Sequence, residues 1–382
     1  MTAPKPKKHK TSRKQPPDQS SYYNEDVVTS KPSAVFAPNG PRLHTLSVAL
    51  PGSIIANAQS HEQKTFLAGI IARALTVFCV DEVVIFEDET RTGKTRHVNK
   101  HNTDEYTGFL DPSHFLAHLL AYLETPPYLR RQLFPMHPNL RTAGTLPSLD
   151  MPHHLRGNEW CDYREGVVVS ENGESALVNN ADDSNGQKKR KRKGTEKASA
   201  KKPTLVDTGF RKIQLSNYEI PENTRVTMKF MSRDNPEEGA EPVDPAAPRV
   251  EAGYYWGYTV RRCSSISSVF TECPFDGGYD LSFGTSERGS PVSSILAEQG
   301  QGPSIPKYNH LLVVFGGVAG IEAAIACDQD LIDRALAPED AAELFDYWVN
   351  VLPGQGSRTI RTEEAVWLGL MALKDVVERN GR

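Results

Sequence analysis

Runs of residues that are apolar at nearly every position, closed by glycine or proline and followed by helical patterns, recur toward both ends of this chain and admit few architectures. Thr45 to Leu50 is the first such strand, and Pro51-Gly52 breaks it. Ser60 with Gln63 three positions later has the form of a capping box, after which Phe66, Leu67, Ile70, Ala74 and Phe78 recur at helical spacing. Val83 to Phe86 is the next strand, and a helix from near Ser113 to Leu123 turns Leu116, Leu119, Leu120 and Leu123 inward. The rhythm returns with strands near Tyr254 to Val260, Tyr279 to Phe283, His310 to Phe315 and Phe345 to Val351. A long final helix, about Glu363 to Arg379, is expected to bury Val366, Leu370, Leu373 and Val377. Strands without polar alternation are those covered on both faces, so these segments predict an α/β sheet.

The middle of the chain follows another pattern. Glu165 to Val169, Leu205 to Asp207, Lys212 to Leu215 and Arg225 to Phe230 are short strands separated by Gly, Asn and Pro, with no helical period between them. That spacing predicts a small β-barrel or sandwich. The resulting organisation is a basic tail (1–42), the first part of an α/β domain (43–151), an all-β insert (152–234) carrying a low-complexity loop (181–203), a Pro- and acid-rich linker (235–252), and the second part of the α/β domain (253–382).

A chain of 382 residues is long enough for a substantial core, and 38 % apolar content fits a globular body diluted by polar tails. Its net charge of -4 gives no global case for nucleic-acid binding, so the distribution of charge matters more than the sum. Six basic residues fall between Lys5 and Lys14, and Lys188, Lys189, Arg190, Lys191, Arg192 and Lys193 form a second run. Each is explicable as a solvated surface, but two runs in low-complexity surroundings point to nuclear import and RNA backbone contact. Cys79, Cys161, Cys263, Cys273 and Cys327 show no CxxC pair or zinc spacing and read as small buried groups. No signal peptide or membrane-spanning run is read, so a soluble intracellular protein is expected.

Three segments beyond the last strands carry the unusual chemistry, at the edge where open α/β sheets hold ligands. The first is GTSERG, Gly284 to Gly289, with Thr285, Glu287 and Arg288; the second is Gly316-Gly317, with Gly320 completing GGxxG. The third, PGQGSRTIRTEEA, contains Pro353, Gly354, Gly356, Arg358, Ile360, Arg361, Glu363 and Ala365. Glycines there let backbone approach a ligand. Arg358 and Arg361 make an anion-binding surface, whereas Glu363 and Glu364 are equally explained as carboxylates favoured at a helix N-terminus. Gly93-Lys94-Thr95 fails as a P-loop because position 88, where the first glycine belongs, is Asp88. GGxxG is not the dinucleotide fingerprint, and His137, His153 and His154 lack metal-like partners in the sequence.

Together with these loops, the strings TLSVALPGSI (Thr45 to Ile54), FCVDEVVIF (Phe78 to Phe86), PPYLRRQLFP (Pro126 to Pro135), YREGVVV (Tyr163 to Val169) and YYWGYTVR (Tyr254 to Arg261) resemble the eukaryotic and archaeal RNA methyltransferases of the SPOUT (trefoil-knot) superfamily. The resemblance covers about Leu43 to Ala372, excludes both basic tracts and suggests a fungal-type nuclear member. RTIRTEEA also resembles the R-I-L-R-x-E-T-A signature of bacterial enzymes that methylate N3 of uridine in ribosomal RNA, with Ile360 at the Leu position and Glu364 at the Thr position. It implies a SPOUT knot in the chain after His310, cradling S-adenosylmethionine, and an OB-like insert, about Pro152 to Asp234, suited to single-stranded RNA. It further implies a homodimer, or a heterodimer with a related chain, with the knot at the interface.

Methyl transfer from a sulfonium is an in-line displacement, so positioning and exclusion of water dominate. On this reading Thr285, Gly316, Gly317, Gly320, Pro353, Gly354, Gly356, Ile360 and Ala365 surround the cofactor. Arg288, Arg358 or Arg361 faces the target base or its phosphate, and Glu287 or Glu363 accepts the proton from N3. The expected partners are pre-ribosomal RNA and ribosome-assembly factors, in the nucleus and nucleolus. The competing expectations are a catalytically silent assembly factor using the same fold as a scaffold and, third, a spindle- or chromatin-associated protein with incidental cofactor affinity.

Overall fold

A computed structural model of the chain describes residues 38, 40–89, 105–170, 204–297 and 305–381. The N-terminal basic tail, Gly93-Lys94-Thr95 and the run Lys188 to Lys193 lie outside the described residues. Strands β1 (Thr45–Pro51) and β2 (Glu82–Phe86) come first. Next are β3 (Tyr163–Val169), β4 (Thr204–Asp207), β5 (Lys212–Leu215), β6 (Arg225–Lys229) and β7 (Glu241–Val243). The last are β8 (Thr259–Cys263), β9 (Leu281–Pro291), β10 (His310–Val314) and β11 (Tyr347–Asn350). Helices α1 (His61–Val77), α2 (Pro112–Glu124) and α3 (Pro127–Leu133) belong to the first part, and α4 (Ala247–Ala252) precedes β8. After it, α5 (Ile266–Thr271), α6 (Val292–Ala297), α7 (Gly320–Cys327), α8 (Gln329–Asp333), α9 (Thr362–Ala372) and α10 (Lys374–Asn380) alternate with the strands.

The two flanks of the chain share one six-stranded sheet, ordered β11-β9-β10-β1-β2-β8, in which every neighbouring pair is parallel. Alternate residues of its strands feed opposite cores. Leu46, Val48 and Leu50 of β1, with Leu311 and Val313 of β10, pack on the side of α1, α2 and α9. Ala49, Leu312 and Val314 pack on the other side with Ile266, Ile321 and Ile325. Both faces being covered is why the sequence shows continuous apolar runs.

Local sequence chemistry explains several boundaries. Ser60 Oγ accepts from Gln63 N at 3.1 Å while Gln63 Oε1 accepts from Ser60 N at 3.2 Å, the expected capping box of α1. The buried stripe of that helix is displaced from the expected one: Leu67, Ala68, Ile71 and Leu75 face inward, whereas Phe66 and Ile70 are exposed. The strand expected at Tyr254 to Val260 begins only at Thr259, because Gly257 adopts φ +88, a left-handed conformation that interrupts extended backbone. The expected final helix is two helices, divided at Leu373, whose ψ of 0 departs from helical geometry while its side chain stays buried.

The middle strands form a separate antiparallel sheet, ordered β5-β4-β3-β6-β7, over a core that includes Val206, Ile213, Leu215 and Met228. The segment expected as a linker supplies β7 and α4. β7 lies at the sheet edge, where Pro242 removes no donor needed by a further strand. Charge ties the two sheets together. Arg225 of β6 donates to both oxygens of Glu124 at the end of α2, at 2.6 and 3.0 Å, and to Glu165 of β3 at 2.6 Å. Thr227 and the Trp256 indole also donate to Glu165, and His153 Nε2 lies 2.9 Å from Glu124.

Removing one member of such a buried network leaves uncompensated charge. Arg225→Ala is therefore expected to lower unfolding stability by about 3–5 kcal/mol, read from the denaturant midpoint; an unchanged midpoint would show that the clamp contributes nothing net. Acid should weaken the fold in two stages. Burial pulls the His154 pKa down to about 3, so below the unfolded value of about 6.5 the unfolded chain takes up a proton that the folded chain refuses, and stability falls as pH drops. Burial pushes the Glu124 carboxyl up, but Arg225 and His153 outweigh it and hold it well below the ordinary range. Its contribution is complete above the unfolded value of about 4.3 and is lost on further acidification. Denaturation measured across pH 7 to 3 should show both stages, with His154→Gln flattening the upper one; an identical profile for that variant would contradict the assignment.

Candidate active site

Because every strand of the large sheet runs the same way, all six carboxyl ends lie along one edge, and the segments singled out by composition meet there. GTSERG is not a free loop. β9 continues through it for eleven residues, but its pairing with β11 jumps from Trp348↔Gly284 to Val349↔Ser290. Thr285 to Gly289 thus lie within a bulge, which keeps their side chains available while the backbone stays anchored. Thr285 Oγ1 donates to Val314 O at 3.0 Å, and Asn350 Nδ2 donates to Glu287 O at 2.8 Å, so the bulge is tied to the ends of β10 and β11.

The turn after β10 is closed by Gly320 N donating to Gly317 O at 3.0 Å, with Gly320 at φ +80. A Cβ at Gly316 would lie 2.7 Å from Gly320 C and Ile321 N, so the turn itself requires glycine there, quite apart from any ligand. Gly317 looks elsewhere: a Cβ there would lie 3.2 Å from Asp88 Oδ2 and 3.3 Å from Ser53 Oγ. Asp88 accepts from Ser53 Oγ at 2.5 Å and from its backbone N–H at 3.3 Å, and burial pushes the carboxyl up against those hydrogen bonds.

The start of α9 completes the site. Thr362 Oγ1 donates to Gly316 O at 3.0 Å, which docks the helix on the glycine turn. Glu364 Oε2 accepts from Arg361 N at 3.0 Å, so this carboxylate is the cap. Glu363 is buried instead, with Oε1 3.5 Å from Arg361 Nη1. Arg288 Nη1 lies 3.6 Å from Glu322 Oε1 in the first turn of α7. The two guanidinium side chains remain 69 % exposed for Arg288 and 68 % for Arg361, free to meet an incoming anion. Between β11 and α9, Pro353 and Arg358 are exposed and Ile360 half-buried, as is Ala365 in the first turn of α9. Cβ atoms at Gly354 and Gly356 would meet nothing within 4 Å.

The structure therefore connects Thr285, Arg288, Gly316, Gly317, Gly320, Arg361 and Glu363 through shared contacts. Glu287 and Arg358 stand exposed on the same segments, and among the described residues no contact binds their side chains into the cluster. Ser53, Asp88, Glu322 and Thr362 were missed by sequence reasoning. Their signal was position alone: Ser53 and Asp88 each lie two residues beyond a strand, and Glu322 and Thr362 lie in the first turns of helices. Open space beside the backbone at Gly354 and Gly356 leaves room for a flat ligand to approach closely.

The chain is 43 % identical over 343 residues to the 28S rRNA (uridine-N(3))-methyltransferase of Mus musculus, an alignment covering 88 % of this chain and 77 % of that protein. It is 42 % identical over 342 residues to the Homo sapiens protein of the same name, covering 87 % and 78 %. An uncharacterized protein of Halobacterium salinarum is 27 % identical over 345 residues, covering 86 % of this chain and 98 % of its own length. Residues 45–373, from the first strand through α9 and including the antiparallel sheet, match the family model described as "Putative RNA methyltransferase", and the chain belongs to that family.

Proposed function

We propose that this chain transfers the methyl group of S-adenosylmethionine to N3 of a uridine in large-subunit ribosomal RNA. The observation that carries the reading is the likeness to relatives named for that reaction, at 43 % and 42 % identity across most of this chain. The site geometry supports it. Gly317, Gly354, Gly356, Ile360 and Ala365 would hold the cofactor, with Thr285 and Gly320 shaping the segments around it. The bound cofactor supplies an electrophilic methyl carbon on a sulfonium.

The protein's own contribution is placement and charge. Negative charge spreads over the flanking carbonyls as N3 loses its proton, and Arg361 and Arg288, exposed but leashed to Glu363 and Glu322, are placed to stabilise it. Arg358 adds a third cation toward the phosphate. Glu363 is the proposed proton acceptor in preference to Glu287, because its burial beside Arg361 fixes its position.

The same reading takes the chain after His310 as a SPOUT knot and the antiparallel sheet as an OB-like platform for unpaired RNA. Exposed Phe66, Ile70 and Val77 of α1 and Met371 of α9 support a dimer through that face, since the two helices pack together, with Trp367 Nε1 donating to Ile70 O. It also places the protein in the nucleus, in large-subunit ribosome assembly, with Lys188 to Lys193 serving import and phosphate contact.

Gly356→Leu should weaken S-adenosylmethionine binding at least tenfold by calorimetry while leaving the melting temperature unchanged, because its side chain enters open space. Gly316→Leu should instead destabilise the turn. Equal loss of stability in both would remove Gly356 from the cofactor site. Arg361→Ala is expected to lower methylation by about 10²–10³-fold with cofactor affinity preserved. Mass spectrometry of ribosomal RNA nucleosides from cells lacking the protein should show loss of one N3-methyluridine, restored by the native chain and not by the variant. An unchanged nucleoside profile beside defective large-subunit assembly would favour the scaffold instead.

A further inference from the structure

We propose that a cavity of about 450 Å³ beside Gly317 seats the uridine to be methylated, with Lys64 meeting its carbonyl oxygens and Phe109 closing its rim. The inference rests on the reading that the chain acts on RNA at uridine, and adds to it a pocket built from segments other than the glycine loops. The wall includes Ser53, Lys64, Asp88, Phe109, Asp111 and Ser113, from just beyond β1 and β2, the first turn of α1 and the start of α2. It adjoins the candidate cofactor turn, because Asp88 and Ser53 are the side chains nearest Gly317. Its volume lies within the usual range for small-ligand pockets.

Lys64 is the group that calls for an occupant. It is only 1 % exposed, and its ammonium makes one hydrogen bond, to Ile55 O at 2.7 Å, while standing 4.7 Å from the centroid of the Phe109 ring. Among the described residues no carboxylate forms an ion pair with it. Four acids line the wall: Asp88 is held by Ser53, Asp111 by Arg262 through both oxygens and by the N–H of His114, and Glu87 and Glu89 stand beside them. A buried ammonium with unused donors is costly, and burial alone pulls its pKa down.

Strong neutral acceptors relieve that cost, and the nearby acids disfavour a phosphate dianion in the same space. Uracil presents two carbonyl oxygens, and both gain negative charge as N3 is deprotonated. Phe109, 68 % exposed, carries Lys64 over its ring and makes a T-shaped contact with Tyr106. Lys64 and Phe109 therefore serve as binding residues for the base, and the glycine turn brings the methyl donor to its edge.

The test uses the full chain and a single-stranded RNA pentamer carrying one 4-thiouridine. Irradiation should cross-link that base to the 105–113 segment, mapped by mass spectrometry, and Phe109→Ala should reduce cross-link yield and RNA affinity about tenfold. Lys64→Met, which retains the stem and removes the charge, should reduce both similarly at an unchanged melting temperature. Uridine should compete for the cross-link and inorganic phosphate should not; effective competition by phosphate would make this an anion site and overturn the proposal. Cross-links confined to other segments, unaffected by either variant, would also overturn it. If the native chain methylates RNA and both variants do so with native kcat/KM, the pocket assignment fails while the proposed function stands. If methylation is absent but the cross-link maps to 105–113 and both variants lose it, the pocket stands and the proposed reaction falls.

Discussion

The parallel pairing of β1 with β10 is the contact on which the rest of the molecule depends. It joins Thr45 to His310 and runs in register to Ala49 and Val314, with Thr45 Oγ1 and His310 Nδ1 2.8 Å apart. Closing so long a stretch of chain is entropically unfavourable, although the cost grows only slowly with length. The reward is a strand pair buried on both faces, with Val48, Leu50, Val313 and Val314 fully enclosed. Once that pair forms, β2 and β8 extend one side, β9 and β11 the other, and every carboxyl end falls on the same edge.

That edge separates two uses of charge. Within the scaffold, two ionic networks are saturated: Arg225 between Glu124 and Glu165 joins the sheets, and Glu82 receives Ser47, Arg261 and Tyr279 inside the large one. Such networks set the relative placement of parts, because an uncompensated member would be costly. At the carboxyl edge, Arg288 and Arg361 are each held by one carboxylate at 3.6 and 3.5 Å and otherwise face solvent. Long, single contacts orient a guanidinium without consuming its capacity to bind an anion.

Much of the fold is legible in the sequence because burial on both faces leaves a direct mark. The strands at Lys212 to Leu215 and His310 to Val314 lie where apolar pattern places them, and the Ser60–Gln63 cap needs only its neighbours. Positions governed by distant partners are not legible. The helix face at Phe66 and Ile70 looks like core until α9 is seen packing beside α1. Gly284 and Gly289 look like loop glycines, yet side chains there would strike Phe345, Trp348 and the backbone of Val349, which is why β9 passes so close to β11. Asp88 enters the sequence argument only as the residue that excludes a P-loop, and Lys64 not at all.

By itself, then, the sequence determined the α/β class, the run of short strands that interrupts it, the family likeness and the three glycine-bearing segments of the candidate site. Periodicity and short motifs are properties of neighbouring residues, and each residue's neighbours are written in order. Tertiary structure alone decided that Gly316 serves its own turn, that Glu364 caps while Glu363 is buried beside Arg361, and that Ser53, Lys64, Asp88 and Phe109 line one cavity. These depend on which strands become neighbours in the sheet, and that order, β11-β9-β10-β1-β2-β8, exists only once the two ends of the chain have met.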